Sequence, residues 1–321
     1  MFDSTQQSVQ YMLRQYAVII PVLDGGEVWR RVACSIQNQQ PAPTQILVFD
    51  SGSTDGSDQV AVDAGFDLMR IAKAEFDHGG TRQMAAEHCR VFPFLVYLTQ
   101  DAELVGSGAL AHLLSVFDDA SIGVAYGRQL PRLGSGAIEA HARLFNYPDC
   151  SSIRSIQDVP RLGIKAVFSS NSFAAYRHDA LLAAGGFPNH LILAEDMVAT
   201  ARMLKLGWSS AYVASAQVYH SHEYTVLQEF KRYFDIGVLH HDQAWLLREF
   251  GKPEGEGGRF VKSELAYLSR HAPWLVPSAI LRTFSKYLGY KLGKNYDRLP
   301  KSWPPKLSMH HRYWQRSKKP C

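Results

Sequence analysis

Three short apolar runs, each cut off by a polar loop, constrain this chain more than any other feature. Residues 16–23 (YAVIIPVL), 45–49 (QILVF) and 94–98 (FLVYL) are rich in β-branched, aromatic and leucine side chains and too short for helices. Between them lie helical patterns. Val28, Val32 and Ile36 recur at helical spacing in 27–39, 57–64 also reads as a helix, and Gly79-Gly80-Thr81 opens another over 82–89. Residues 67–71 read as a further strand. Buried strands alternating with helices predict an α/β fold, a mostly parallel central sheet with helices on both faces. In such a sheet ligands bind outside the carboxyl ends of the strands, where this chain places its polar loops.

The pattern continues with a helix over 107–118, strands over 123–128, 166–176 and 208–219, and helices over 181–184 and 196–206, the last stopped by Gly207. Residues 132–158 read as a mobile loop with helical parts. After Glu223 the chain turns helical and basic, broken at 255–258 and 300–305. The expected organisation is a catalytic region over 1–223, with halves at about 1–103 and 104–223, and a helical C-terminal extension over 224–321. That extension carries 18 Lys and Arg against 8 Asp and Glu, a balance of +10. Such a balance fits either an acidic partner, such as an anionic membrane surface, or a solvated helical cap. Lys286, Lys291, Lys294, Trp303 and Trp314 are the candidates for membrane contact.

A 46% hydrophobic, 20% charged composition excludes a disordered chain. Cys34, Cys89, Cys150 and Cys321 form no Cys-x-x-Cys pair, which argues against a zinc site or a disulfide framework and for a reducing cytosol. The N-terminal residues do not read as a signal peptide, and no run approaches the ~20 apolar residues of a membrane span. The basic region has no recognised nucleic-acid-binding module.

Five blocks carry chemistry. Pro21-Val22-Leu23-Asp24, with Asp50-Ser51-Gly52-Ser53-Thr54-Asp55, forms two strand-end loops. Asp50 either accepts from a pyrimidine ring N–H, with the Ser51 and Ser53 hydroxyls on the ribose, or closes an Asx turn before the next helix. His78-Gly79-Gly80-Thr81-Arg82 either presents a helix N-terminus capped by Thr81, and an arginine fork, to a diphosphate, or is a glycine turn with a solvated Arg. Gln100-Asp101 follows the strand over 94–98. Glu195-Asp196 opens a helix, as a general base near an acceptor hydroxyl or as acidic capping. His220 and His222 lie at i, i+2 after a strand and project to one side, as metal or diphosphate ligands or as an idle pair.

The order of these blocks resembles the family 2 glycosyltransferases of the GT-A fold, through VIIPVLDGG and VFDSGSTDGS. FDHGGTR, HSH and FKRYFDIG are similar to bacterial rhamnosyltransferases of surface-polysaccharide synthesis. The resemblance implies an inverting transfer. Asp196 would be the base with Glu195 beside it, and Asp101, with His220 or His222, would hold Mg²⁺ or Mn²⁺. Pro21, Val22, Asp24, Asp50, Ser51, Ser53, His78, Gly79, Gly80, Arg82 and Gln100 would line the donor site, and Asn171, Gly186 and Phe187 the acceptor side. Gln100 stands where the family usually has an acid, so only Asp101 carries over as a metal ligand. The implied donor is dTDP-L-rhamnose, with a UDP- or GDP-sugar, or a non-catalytic binding module, as alternatives. The implied acceptor is a saccharide or lipid-linked saccharide at the cytoplasmic face of a membrane. Gln228-Glu229-Phe230-Lys231-Arg232-Tyr233 lacks the Gln-x-x-Arg-Trp spacing of processive synthases, which implies one sugar per encounter.

Overall fold

The computed structural model describes residues 15–251 and 255–316. Nine strands form one sheet: β1 (Tyr16–Val22), β2 (Gln45–Asp50), β3 (Asp67–Arg70), β4 (Phe94–Leu98), β5 (Glu103–Leu104), β6 (Ile122–Leu130), β7 (Ser152–Arg154), β8 (Phe173–Arg177) and β9 (Ser209–Tyr219). Their order is β3-β2-β1-β4-β8-β6-β9-β5, with β7 also on β9. The β3-β2-β1-β4 half is parallel. β8 runs antiparallel to both β4 and β6, while β6 and β9 are parallel. The sheet is therefore mixed, with its fully parallel half on the side of the first two loops.

β1 shows why the sheet is buried on both faces. Val18, Ile20 and Val22 enter one core and Ala17 and Ile19 the other, following the two-residue period of a strand. Helices α1 (Gly26–Gln37), α2 (Ser57–Asp63), α3 (His78–His88), α4 (Ala109–Leu114), α5 (Ala137–Asn146), α6 (Val159–Leu162), α7 (His178–Ala183) and α8 (Glu195–Lys205) follow in chain order. In α1 the buried stripe is Trp29, Val32, Ala33 and Ile36, so Val28 lies at its margin. A full burial of each such side chain contributes ~1.5–3 kcal/mol.

Three expectations need correction. Residues 132–158 hold α5 and the edge strand β7; α5 has only His141 buried, so its apolar pattern is weak. His141 packs among Phe145, Phe260 and Tyr267 instead. The expected strand over 166–176 begins only at Phe173: 163–167 is a 3₁₀ turn, and in the loop that follows Asn171 is held by Glu195 and Asp196. α3 starts at His78, since Asp77, not Thr81, caps it by accepting from Gly80 N–H at 2.7 Å.

The C-terminal region contains α9 (Val226–Asp242), α10 (Ala244–Phe250), α11 (Glu256–His271), α12 (Val276–Lys294), α13 (Pro304–Leu307) and α14 (His311–Arg316). Gly257 and Gly258 sit inside the first turn of α11 and do not break it. Gln228 closes a capping box with Thr225 at the start of α9. Cys34, Cys89 and Cys150 are free, and Cys321 lies outside the described residues. Among the described residues no helix is long and apolar enough to cross a membrane.

Candidate active site

The carboxyl ends of β1, β2 and β4 are laced together. Ser51 N–H donates to the Val22 carbonyl at 3.0 Å. Gln100 bonds both backbone groups of Leu23: its oxygen accepts from Leu23 N–H at 2.6 Å and its amide donates to the Leu23 carbonyl at 3.0 Å. Asp24 N–H donates to Ser53 Oγ at 3.0 Å, and Thr54 N–H donates to Asp24 Oδ1 at 2.7 Å. The Asp50 carboxylate accepts from the N–H groups of Gly52 (2.9 Å) and Ser53. The Asp50 carboxylate thus closes an Asx turn. Asp24, Asp50 and Ser53 brace the loops and do not line the cavity beside them.

That cavity measures about 860 Å³, a size that suits a small-molecule ligand. Of the sequence candidates, Pro21, Val22, Ser51, His78, Arg82 and Gln100 line it. Its opposite wall is Met309 to Tyr313, at the far end of the chain. Asp235 on α9 holds this segment by accepting from Met309 N–H at 2.9 Å. Arg312 donates across to the Lys73 carbonyl at 2.8 Å. The sequence reading saw this segment only as part of a basic extension. His310, one of its residues, faces His78 with ring centroids 5.8 Å apart, and burial pushes its imidazole down to about 3.

Gly79 and Gly80 do not line the cavity. A Cβ at Gly79 would fall on the Pro188 carbonyl, so the glycine serves the close approach of α3 to that loop. Gly186 (φ 66°) packs against Gln83 in the same way, and Phe187 is a core residue between Tyr97 and Tyr176. Both residues are buried.

Arg82 and Glu195 form a buried ion pair at 2.6 Å. One arm of the arginine fork expected to meet phosphate, Nη1, is therefore directed at a carboxylate. Asn171 joins the pair, donating from its amide to Glu195 Oε1 (3.2 Å) and from its backbone N–H to Asp196 Oδ2 (3.0 Å). The two adjacent carboxyls are driven apart. Burial raises Glu195, but the charges of Arg82 and His78 outweigh it and hold the group low. Burial and the Glu195 charge push Asp196 up to about 6. One carboxylate locked as an anion beside one poised near neutrality is a pattern of acid–base sites. The segment leading into the pair holds left-handed backbone at His190 (φ 59°) and Ala194 (φ 62°). With Asp24, these are the positive-φ non-glycine residues among the described residues, and all lie at this site.

Asp101, His220 and His222 bring one ligand atom each within 4.8 Å of one another. His220 Nε2 lies 3.4 Å from Asp101 Oδ1, and His222 Nε2 lies 3.6 Å from Asp101 Oδ2. Gln129 on β6, which no sequence motif marked, decides the His220 tautomer. Its oxygen accepts from Arg143 at 2.6 Å and meets His220 Nδ1 at 2.9 Å. Nδ1 therefore donates to Gln129, which turns Nε2 toward the Asp101 carboxylate. An imidazole nitrogen and a carboxylate so placed fit a shared cation. Burial and His220 push His222 down to about 4, leaving it neutral at pH 7. Burial raises Asp101, yet the contact with His220 outweighs it and keeps the carboxyl below the usual range. Arg132 donates to the Asp101 backbone carbonyl. One carboxylate and two imidazoles fit Mn²⁺ better than an all-oxygen Mg²⁺ site and are compatible with either ion when phosphate and water complete the shell.

The family profile described as glycosyltransferase like family 2 matches residues 14–234, most of the chain. The chain belongs to the family 2 glycosyltransferases. It is 45% identical over 93% of its length to the O-antigen chain rhamnosyltransferase WbaN of Salmonella anatum, covering 95% of that protein. It is also 45% identical to the O-antigen chain rhamnosyltransferase RfbN of Salmonella typhimurium, over 92% of this chain and 95% of that one. Among solved structures, the fold is similar to the mannosyltransferase PcManGT from Pyrobaculum calidifontis in complex with GDP-Man and Mn²⁺. The TM-score is 0.54 at 16% identity, over 95% of this chain and 88% of that one. The family 2 chain is thus an enzyme of sugar transfer, and its fold is GT-A.

Proposed function

We propose that this glycosyltransferase moves L-rhamnose from dTDP-L-rhamnose to a hydroxyl of a growing surface saccharide, free or lipid-linked, at the cytoplasmic face of a membrane. One sugar is transferred per encounter, with inversion. The observation that carries the reading is the 45% identity, along nearly the whole chain, to two proteins named O-antigen chain rhamnosyltransferases.

The site chemistry is consistent with it. In the proposed step the acceptor oxygen bonds to the anomeric carbon, the bond from that carbon to the diphosphate oxygen breaks, and Asp196 takes the hydroxyl proton. A carboxylate titrating near 6 is a competent base at neutral pH and still loses its proton afterwards. Glu195, neutralised by Arg82, keeps Asn171 and Asp196 in position. Asp101, His220 and His222 would hold Mg²⁺ or Mn²⁺, which when bound neutralises charge on the leaving diphosphate. The cavity with Ser51, His78 and Gln100 on its wall would receive the nucleotide.

Calorimetric titration with a panel of nucleotide sugars, with and without Mn²⁺ or Mg²⁺, tests the reading. Metal-dependent binding of dTDP-L-rhamnose above UDP- and GDP-sugars is expected. Preference for a UDP- or GDP-sugar discards rhamnose, and binding of none of them discards the donor site.

A further inference from the structure

Helix α12 is built inside out. The residues it buries are Ala279, Gly289 and Gly293. Gly289 and Gly293 lie on α9, where a Cβ would meet the carbonyls of Phe230 and Phe234; Gly237 on α9 answers them against Tyr290 and Lys294. The two backbones therefore approach as closely as glycine allows. The large apolar side chains of α12 point away from the protein. Ile280, Leu281, Phe284, Tyr287 and Leu288 are 40–62% exposed, and Trp274, just before the helix, is 74% exposed. Their spacing of three and four residues places the five helical ones on one stripe. An exposed apolar stripe of this kind on a folded chain marks a contact surface.

Charge indicates what covers it. From 265 to 296 the chain has five Lys or Arg and no Asp or Glu. Exposed Lys291 continues the stripe, with its ammonium 5.6 Å from the Tyr287 ring, and Arg270 is exposed at the other end. Two of the expected membrane residues face inward instead. Lys286 lies by Glu229 (3.5 Å) and over the Tyr233 and Phe260 rings, and Trp314 packs with Phe234 and Tyr296. A second copy would bring like charge against like charge, whereas an anionic bilayer complements both the charge and the apolar stripe.

We infer that the outer face of α12, with Trp274 and Lys291, docks on an anionic lipid surface, burying Leu281, Phe284 and Leu288 at the headgroup boundary. The inference rests on the membrane setting of the proposed function but not on its donor. α12 reaches the active site through one helix: it packs on α9, and Asp235 of α9 holds the segment that walls the cavity. A docked α12 would thus hold the cavity close to the membrane plane.

The test is flotation of the full chain with vesicles of phosphatidylcholine alone or mixed with phosphatidylglycerol. Binding is expected only to the mixed vesicles and should weaken as salt is raised. Phe284→Ser with Leu281→Ser should lower the partition by at least about tenfold, and Lys291→Glu by several-fold. Both variants should keep the wild-type circular dichroism and nucleotide-sugar binding, because neither position touches the cavity. Unchanged flotation of the variants would overturn the inference, as would absence of wild-type binding to mixed vesicles while nucleotide-sugar binding is intact. A wild-type dimer that Phe284→Ser and Leu281→Ser convert to monomer, with no lipid binding, would reassign the face to a second copy.

Discussion

Arg82 and Glu195, 113 residues apart in the chain, meet at 2.6 Å with both side chains more than nine-tenths buried. The pair fastens α3 to the start of α8 and sets the charge next to Asp196. Glu195→Gln would leave the Arg82 guanidinium buried without a counter-ion, which typically costs ~3–5 kcal/mol. It would also remove the negative charge that raises Asp196. The expected outcome is a large fall in urea stability and, in the protein that remains folded, an acid limb of kcat/KM moved to lower pH. An unmoved limb would show that Glu195 does not tune the base.

Asp196→Asn should cut turnover by roughly 10²–10⁴-fold or more, with donor binding retained. The base must be ionised to act, and its folded-state pKa lies at about 6. Wild-type activity should therefore fall as pH drops through about 6. Near-wild-type turnover by Asp196→Asn would remove it from the reaction.

Gln129 offers a test of the Asp101 cluster that leaves the cluster's ligands in place. Gln129→Leu would free His220 to present either ring nitrogen and leave Arg143 without its acceptor. Loss of the hydrogen bond that orients a ligating imidazole costs ~10–100-fold in metal affinity. Mn²⁺ titration of the apo protein should show that loss, and Asp101→Ala a larger one. Equal Mn²⁺ affinity in Gln129→Leu and wild type would separate the tautomer argument from metal binding.

The parallel half of the sheet was legible because its strands are buried on both faces and read as unbroken apolar runs, as in β1 and β4. β8 was placed too early because the apolar residues Ala166 to Phe168 lie largely in a 3₁₀ turn, which composition does not distinguish from a strand, and the polar Ser169 to Ser172 separate them from β8. At the site, short motifs marked Asp101 and the histidines after strand ends and Asp196 at a helix start. That Arg82 pairs with a carboxylate was not legible, because nothing local points to a residue 113 positions later. Gln129 and the Met309–Tyr313 wall were missed for a related reason: each acts through a contact distant in sequence and carries no local signature.

Gln100 stands where the family resemblance implies an acid, and its geometry gives a reason for the amide. It both accepts from and donates to the backbone of Leu23, tying β4 to the end of β1. A carboxylate could accept but not donate, so Gln100→Glu would set an anion against the Leu23 carbonyl and lose one bond. The expected cost is ~1 kcal/mol, the net worth of a part-buried hydrogen bond. Restoring the acid should give no gain in Mn²⁺ affinity, since the amide is turned toward Leu23 and the Asp101 carboxylate toward His220 and His222. Urea denaturation and Mn²⁺ titration on the same variant measure both effects. A stable Gln100→Glu protein that binds Mn²⁺ more tightly than wild type would show that position 100 belongs to the metal site after all.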